Sequence, residues 1–332
     1  MQTLPSRGTS AGRASRAVLR GVTLTAVSLA TWSGCKPDVG TPPSLVTGPR
    51  LLAVRETSPE VMPGVAATFE ALVADVDGTV PMPVAWTLCR TPRPPAESNS
   101  VSQACVTQPD DDIPAAGPVS LTMPSDACSL FGPDPPPVTP PIRPRDPDTT
   151  GGFYVPVRAA AVAGDGTQLL AFALERVRCN LANAPGDVVR AYNMTYVANT
   201  APALGDIVLD PDGPAAASVL AAPQQPPTVS SATKVTVRVL WPAEAAESYP
   251  LYDSTTRTLT TAREGLRVSW FATDGAFEHD RTGRTGDEPD VFTDNTWTAP
   301  TVAGATSIHF WVVLRDERGG LDFAAFDLMA AP

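Results

Sequence analysis

The sequence predicts an all-β chain, two antiparallel β-sandwiches in tandem behind a leader segment and a tether. Three observations predict it. Short alternating runs recur between clusters of Gly, Pro and Asp, the same order of runs occurs twice, and each copy carries one tryptophan on its third strand.

Taken in order, the chain opens with Arg7, Arg13, Arg16 and Arg20, no acidic residue, and the apolar run GVTLTAVSLA, which is too short to span a bilayer as a helix. Small residues, Ser33 and Gly34, then precede Cys35. This segment resembles a bacterial lipobox, with Trp32 standing where leucine is usual. Residues 1–34 are therefore expected to be a lipoprotein signal peptide and Cys35 the lipidated residue. Each buried methylene of an acyl chain contributes about 0.8 kcal/mol to membrane attachment. Residues 35–47, rich in Pro and Gly, are expected to form a flexible tether.

The first sandwich is expected over 48–180 and the second over 199–332, with 181–198 as the linker; the insertions are expected to limit bending, with a loose linker as the alternative. ATFEALVAD and KVTVRVLW supply matching strands, with Phe69, Ala71, Val73 and Val235, Val237, Val239 inward. PVAWTLC and RVSWFAT follow, with Val84, Trp86 and Val268, Trp270 inward. Next come VSLTMP and NTWTAP, each ended by proline. Each half closes with a hairpin, turned at Asp165-Gly166 and Gly319-Gly320, where positive backbone dihedrals are needed. Ile308, Phe310, Val312 and Leu314 are expected inward and His309 outward. Two places break the pattern: Pro156 suggests pairing from Val157 only, and a change of face between Phe323 and Phe326 suggests a bulge. This pattern is that of an immunoglobulin-like sandwich.

The motifs ATFEALVADVDG, VAWTLC with its later cysteines, and VSWFATDGAFEHDRTG through WVVLRDERGG resemble those of cell-surface lipoproteins of myxobacteria that carry tandem immunoglobulin-like or PKD-like domains. The resemblance covers residues 48–332. It implies a role in the cell envelope, lipid-anchored to the outer membrane, and it implies no activity, cofactor or catalytic residue.

The chain has a net charge of −11; without residues 1–34 it has 20 basic residues against 35 acidic, a net charge near −15. Such a body repels nucleic acid, so the expected partners are the membrane, through the anchor, and an envelope protein or polysaccharide. Four cysteines remain after Cys35, and Cys89, Cys105, Cys128 and Cys179 all fall at one pole of the first sandwich. An even count in an exported chain implies two disulfides rather than metal. Distance does not separate the three connectivities; Cys89 with Cys105 and Cys128 with Cys179 is favoured because the first closes a short loop, worth about 3 kcal/mol.

Two insertions interrupt the repeat, a Pro-rich one at 131–152 and PAEAAESYPLYDSTTRTLTTAREG in the second half, and both are expected at the junction, bracing the two sandwiches. The loop 273–295 is expected at the end away from the membrane. Its His279, Asp280, Arg281, Arg284, Asp287, Glu288 and Asp290 are the candidate partner contacts. Trp297 and Trp311, if exposed, would instead suit a carbohydrate-binding module. DVDG (75–78) and DPDG (210–213) supply too few carboxylates for calcium, so no metal is expected. With two histidines, His279 and His309, and no G-x-S-x-G, H-E-x-x-H or phosphate loop, no enzyme is expected.

Overall fold

Alternating apolar residues at strand spacing produce two β-sandwiches. A computed structural model describes residues 40–97, 101–107, 113–146, 148–214, 216–220 and 226–332. The expected signal peptide and Cys35 lie outside these residues. In domain 1 the strands are β1 (Arg50–Glu56), β2 (Glu60–Val61), β3 (Ala66–Asp75), β4 (Gly78–Thr79), β5 (Val84–Leu88), β6 (Ile113–Ala115), β7 (Val119–Thr122), β8 (Gly152–Val162) and β9 (Gln168–Arg178). One sheet places β3 between β1 and β7, with β4 folding back on β3; the other runs β2-β9-β8-β5-β6, with β2 parallel to β9.

Domain 2 repeats this plan. Its strands are β10 (Ile207–Leu209), β11 (Ala217–Ser218), β12 (Thr228–Ser230), β13 (Lys234–Leu240), β14 (Ser248–Asp253), β15 (Thr258–Arg263), β16 (Leu266–Ala272), β17 (Ala276–Phe277), β18 (Arg281–Arg284), β19 (Phe292–Thr298), β20 (Thr306–Arg315) and β21 (Leu321–Ala331). The sheets are β11-β10-β13-β19-β17 and β12-β21-β20-β16-β18, with β12 parallel to β21, while β14 and β15 make a separate hairpin from the insertion. Both domains are immunoglobulin-like sandwiches. Trp86 and Trp270 occupy matching places, each fully buried on the strand paired with the first strand of the closing hairpin, opposite Ala159 and Val312.

Each domain has its own core, one around Phe69, Trp86 and Val157, the other around Val237, Trp270, Trp297 and Phe310. A third apolar cluster joins them. Leu52, Ala53, Leu72 and Ala74 on the outer face of β1 and β3 meet Trp311, Val313 and Leu321 on the outer face of β20 and β21. Trp311 Nε1 donates to Thr79 Oγ1 across the boundary at 2.8 Å. Arg55 lies over Phe323, 4.4 Å from its ring centroid, and its Nη1 reaches Asp322 at 2.7 Å. The domains thus pack sheet on sheet, and Thr41–Pro332 forms one compact unit.

This third cluster explains the anomaly of the last strand. The β20–β21 register runs without a break from Thr306↔Ala330 to Arg315↔Leu321, so no bulge separates Phe323 from Phe326. Phe326 stacks on Phe310 inside domain 2 and Phe323 packs outward against domain 1; the strand is apolar on both faces because both are covered. Pairing in β8 also begins before Val157, at Gly152. Pro156 is tolerated because its carbonyl, accepting from Cys89 N at 2.9 Å, faces β5 where that strand has just ended at Leu88.

The tether and linker are not loose where they are described. Val46 N donates to Ala272 O at 2.8 Å and Ala272 N to Ser44 O at 2.9 Å, so residues 44–46 add a short parallel rung to β16, and Val46 is fully buried. In the linker, Gly186–Thr195 is a helix, α1, whose Tyr192 is fully buried among Leu181, Tyr252 and Leu259. Tyr192 donates to Thr150 O at 2.6 Å. Gly151 permits this approach: its φ is 78°, and a Cβ there would lie 2.0 Å from the Tyr192 hydroxyl. The two insertions meet where Tyr252 N donates to Thr149 O at 3.1 Å.

The outer face of the β8–β9 sheet in domain 1 is covered in part, with Val162 and Leu170 left exposed. Val101 and Cys105 pack on Phe172, and the Pro-rich insertion lies over Tyr154, Pro156 and Leu174. The cysteines pair as Cys89–Cys105 and Cys128–Cys179, with Cα atoms 5.5 and 5.3 Å apart. Among the described residues no helix is long and apolar enough to cross a membrane.

Candidate interaction site and the interdomain clamp

The candidate contact residues do not form one cluster. β18 runs antiparallel to β16, pairing Arg281 with Ser269 and Arg284 with Leu266, so it carries the chain from the middle of β16 back to its start, roughly 10 Å along the strand. His279, Asp280 and Arg281 stay near the end of β16. Asn295 holds the backbone of His279 on both sides, accepting from its N–H at 3.3 Å and donating to its carbonyl at 2.7 Å. Asp280 Oδ1 accepts from Ser44 N at 3.3 Å, which places this end of domain 2 beside the incoming tether rather than remote from it.

Arg284, Asp287, Glu288 and Asp290 form a second group at the other end of β16. Arg284 donates to Phe292 O at 3.0 Å and pairs with Glu288 and Asp290, each at 3.4 Å. Thr285 binds Asp287 and Glu288, and those bonds lower both carboxyl pKa values below the usual range. This group resembles a self-satisfied surface turn.

Trp297 and Trp311 are not exposed. Trp297 sits in the domain 2 core, 4.9 Å from Phe310, and donates to Asp274 O at 3.1 Å; Trp311 is buried between the domains. The carbohydrate-binding reading therefore loses both of its aromatic surfaces. Among the described residues no group of three or more His, Cys, Asp or Glu is placed to hold a metal ion.

Sequence reasoning missed the most elaborate polar site, two buried arginines that grip the segment joining the domains. Arg176 on β9 is fully buried; its Nε pairs with Glu60 at 2.9 Å, and its Nη atoms donate to Thr150 Oγ1 and O at 2.9 and 3.0 Å. Gly152 leaves the room, since a Cβ there would fall 2.0 Å from the guanidinium carbon. Glu60 also accepts from the Tyr196 hydroxyl and from Asn199 N.

Arg318, in the β20–β21 turn, is 2% exposed. It pairs with Glu264 at 2.6 Å and Glu247 at 2.8 Å, and Glu247 in turn accepts from Thr200 N at 3.0 Å. Asp316 accepts from Asn199 Nδ2 and from Arg318 N. Burial pushes the carboxyls of Glu264 and Asp316 up to about 7 and about 6, the former against the pull of Arg318. Residues 196–200 are thus held from domain 1 by Glu60 and from domain 2 by Glu247 and Asp316. The only sequence signal was charge where apolar residues or a plain turn would serve, in ERVR and RDERGG.

Two further carboxyls point into domain 1 itself. Glu56 and Glu175 are 3% and 0% exposed, and Glu56 Oε2 and both Glu175 oxygens have no hydrogen-bond partner among the described residues. Burial raises their pKa values to about 8 and about 9, with the neighbouring glutamates adding to the shift at Glu175.

No family model matches the chain, and no curated protein matches it. Among solved structures, it is similar to the three N-terminal domains of the highly immunogenic outer capsid protein of bacteriophage RB49, at 12% identity over 85% of this chain and 59% of that one, with a TM-score of 0.18. It is also similar to the adhesin InvE of Yersinia pseudotuberculosis, at 9% identity over 87% of this chain and 61% of that one, TM-score 0.21. The tandem Ig repeats of Dlar match at 12% identity over 86% of this chain and 98% of that one, TM-score 0.20. At these scores nothing about activity or partners carries over.

Proposed function

We propose that this chain is a lipid-anchored protein of the cell envelope that acts by structure and interaction rather than catalysis, as its resemblance to myxobacterial surface lipoproteins implies. The observation that carries the reading is the locked pair of sandwiches. Their shared apolar face and the two buried arginine clamps build a rigid body, with no hinge at the linker that would let it close on a substrate. Two disulfides point to an oxidising, extracytoplasmic compartment. The anchor is Cys35, attached to the outer membrane. From Cys35 to Ser44 the extended backbone spans at most roughly 30 Å, so the body rides near its membrane instead of projecting a remote end.

The partner is an envelope protein or polysaccharide, with His279, Asp280 and Arg281 as the first contact group and Arg284, Asp287, Glu288 and Asp290 as the second. Metabolic labelling with a fatty-acid probe tests the anchor: label that is lost in Cys35→Ala supports it, and retained label rejects it. Pull-down from envelope fractions with the exported chain and with an Arg281→Ala, Arg284→Ala variant tests the contact groups. Equal capture by both proteins would remove these residues from the reading.

A further inference from the structure

The Pro-rich insertion does not pack flush on the sheet it covers. Between them lies a cavity of about 320 Å³, with Pro156 and Leu174 of the β8–β9 face on one side and Arg143 to Asp146 on the other. Three arginines, Arg93, Arg143 and Arg145, line it against the single carboxylate of Asp146. That excess of cation occurs in a chain whose acidic residues outnumber its basic ones, 35 to 24.

Arg143 is the informative residue. It is 4% exposed, and its Nη atoms donate to the carbonyls of Pro144, Ser129 and Asp134 at 3.1, 3.2 and 2.9 Å. None of these acceptors is charged. Its Nε–H has no hydrogen-bond partner among the described residues. Burial lowers the guanidinium pKa, outweighing the pull of the Asp146 and Asp134 carboxylates. A buried cation left with a free donor costs free energy unless something else completes it.

Arg145, by contrast, lies at the rim, with a side chain 54% exposed and Asp134 2.6 Å away. The remaining walls are apolar, led by Phe131, Pro156 and Leu174. The volume suits a small molecule, and guanidinium is the side chain best shaped to take an oxyanion. We propose that this cavity binds a small organic carboxylate, its charged group drawn to Arg143 and the rim arginines and its apolar body lying against Phe131, Pro156 and Leu174.

The test is calorimetric titration of the exported chain, disulfides intact, with benzoate, its neutral isostere benzamide, and inorganic phosphate. Benzoate is expected to bind, benzamide at least about tenfold more weakly, and benzoate binding is expected to weaken as salt rises. Arg145→Gln and Arg93→Gln, both in loops, are expected to weaken benzoate about three- to tenfold with melting temperature unchanged. Arg143→Gln removes bonds that hold the insertion, so it is compared only where its circular dichroism matches the parent; the rim variants keep the test decisive without it. Absence of benzoate binding, equal binding of benzoate and benzamide, or indifference to both rim substitutions would overturn the proposal. Phosphate binding as tight as benzoate would reduce the site to a bare anion site and overturn the assignment of an organic ligand.

Discussion

Glu175→Gln is expected to stabilise the protein at neutral pH, in a manner that pH itself reveals. Glu175 lies on β9 between Ala173 and Val177, both in the domain 1 core, and it is fully buried with neither carboxyl oxygen hydrogen-bonded among the described residues. Its folded-state pKa is about 9, burial being the main cause, against an unfolded value of 4.5. Between those values the folded state holds a proton that the unfolded state releases, so stability falls as pH rises, at about 1.4 kcal/mol per pH unit. The accumulated penalty is absent below pH 4.5 and reaches about 3 kcal/mol at pH 7. Glutamine has the same shape and no charge to lose, so it removes the penalty. Urea denaturation of parent and variant at pH 4.5, 6, 7 and 8, followed by tryptophan fluorescence with disulfides intact, should give midpoints that coincide at pH 4.5 and diverge steadily above it. A gap that stays constant across this range, or a variant less stable at pH 8, would refute the reasoning.

Three other outcomes follow from the same geometry. Arg318→Met strands Glu264 and Glu247 without their cation and should cost about 3–5 kcal/mol in urea denaturation, while a further Glu264→Gln should recover part of the loss. Trp311→Ala should cost about 3–5 kcal/mol and split the single calorimetric transition into two, because it empties the face that couples the domains. A Cys128→Ser, Cys179→Ser variant should lose about 4 kcal/mol in the same denaturation assay, more than the roughly 3 kcal/mol expected for the Cys89–Cys105 pair, since it opens the longer loop, 51 residues against 16.

The repeat itself was legible because each sandwich is governed by period-two alternation, and Trp86 and Trp270 mark the same inward position in both copies. Alternation fails as a guide where a strand is buried on both faces. Phe323 and Phe326 read as a slipped register only because a solvent-facing outer side was assumed. Composition alone leaves the linker open: GDVVRAYNMT carries no helix-length apolar face, yet one buried side chain, Tyr192, fixes its helix. The arginine clamps depend on contacts between residues as distant as Arg318 and Glu247, which no local pattern encodes. The candidate contact residues were treated as one loop because nothing in the run 273–295 announces β18, a strand of four residues that separates them into two groups.

The coverage of the β8–β9 outer face bears on how the chain could grow. In domain 2 the corresponding β20–β21 face is the docking surface for its neighbour, so a further copy added ahead of domain 1 would need that face free. In domain 1 the disulfide-closed segment and the Pro-rich insertion occupy part of it, around Phe172, Tyr154 and Pro156. A sandwich docking there in the same way would have to displace them, so the two copies of one hairpin present different surfaces.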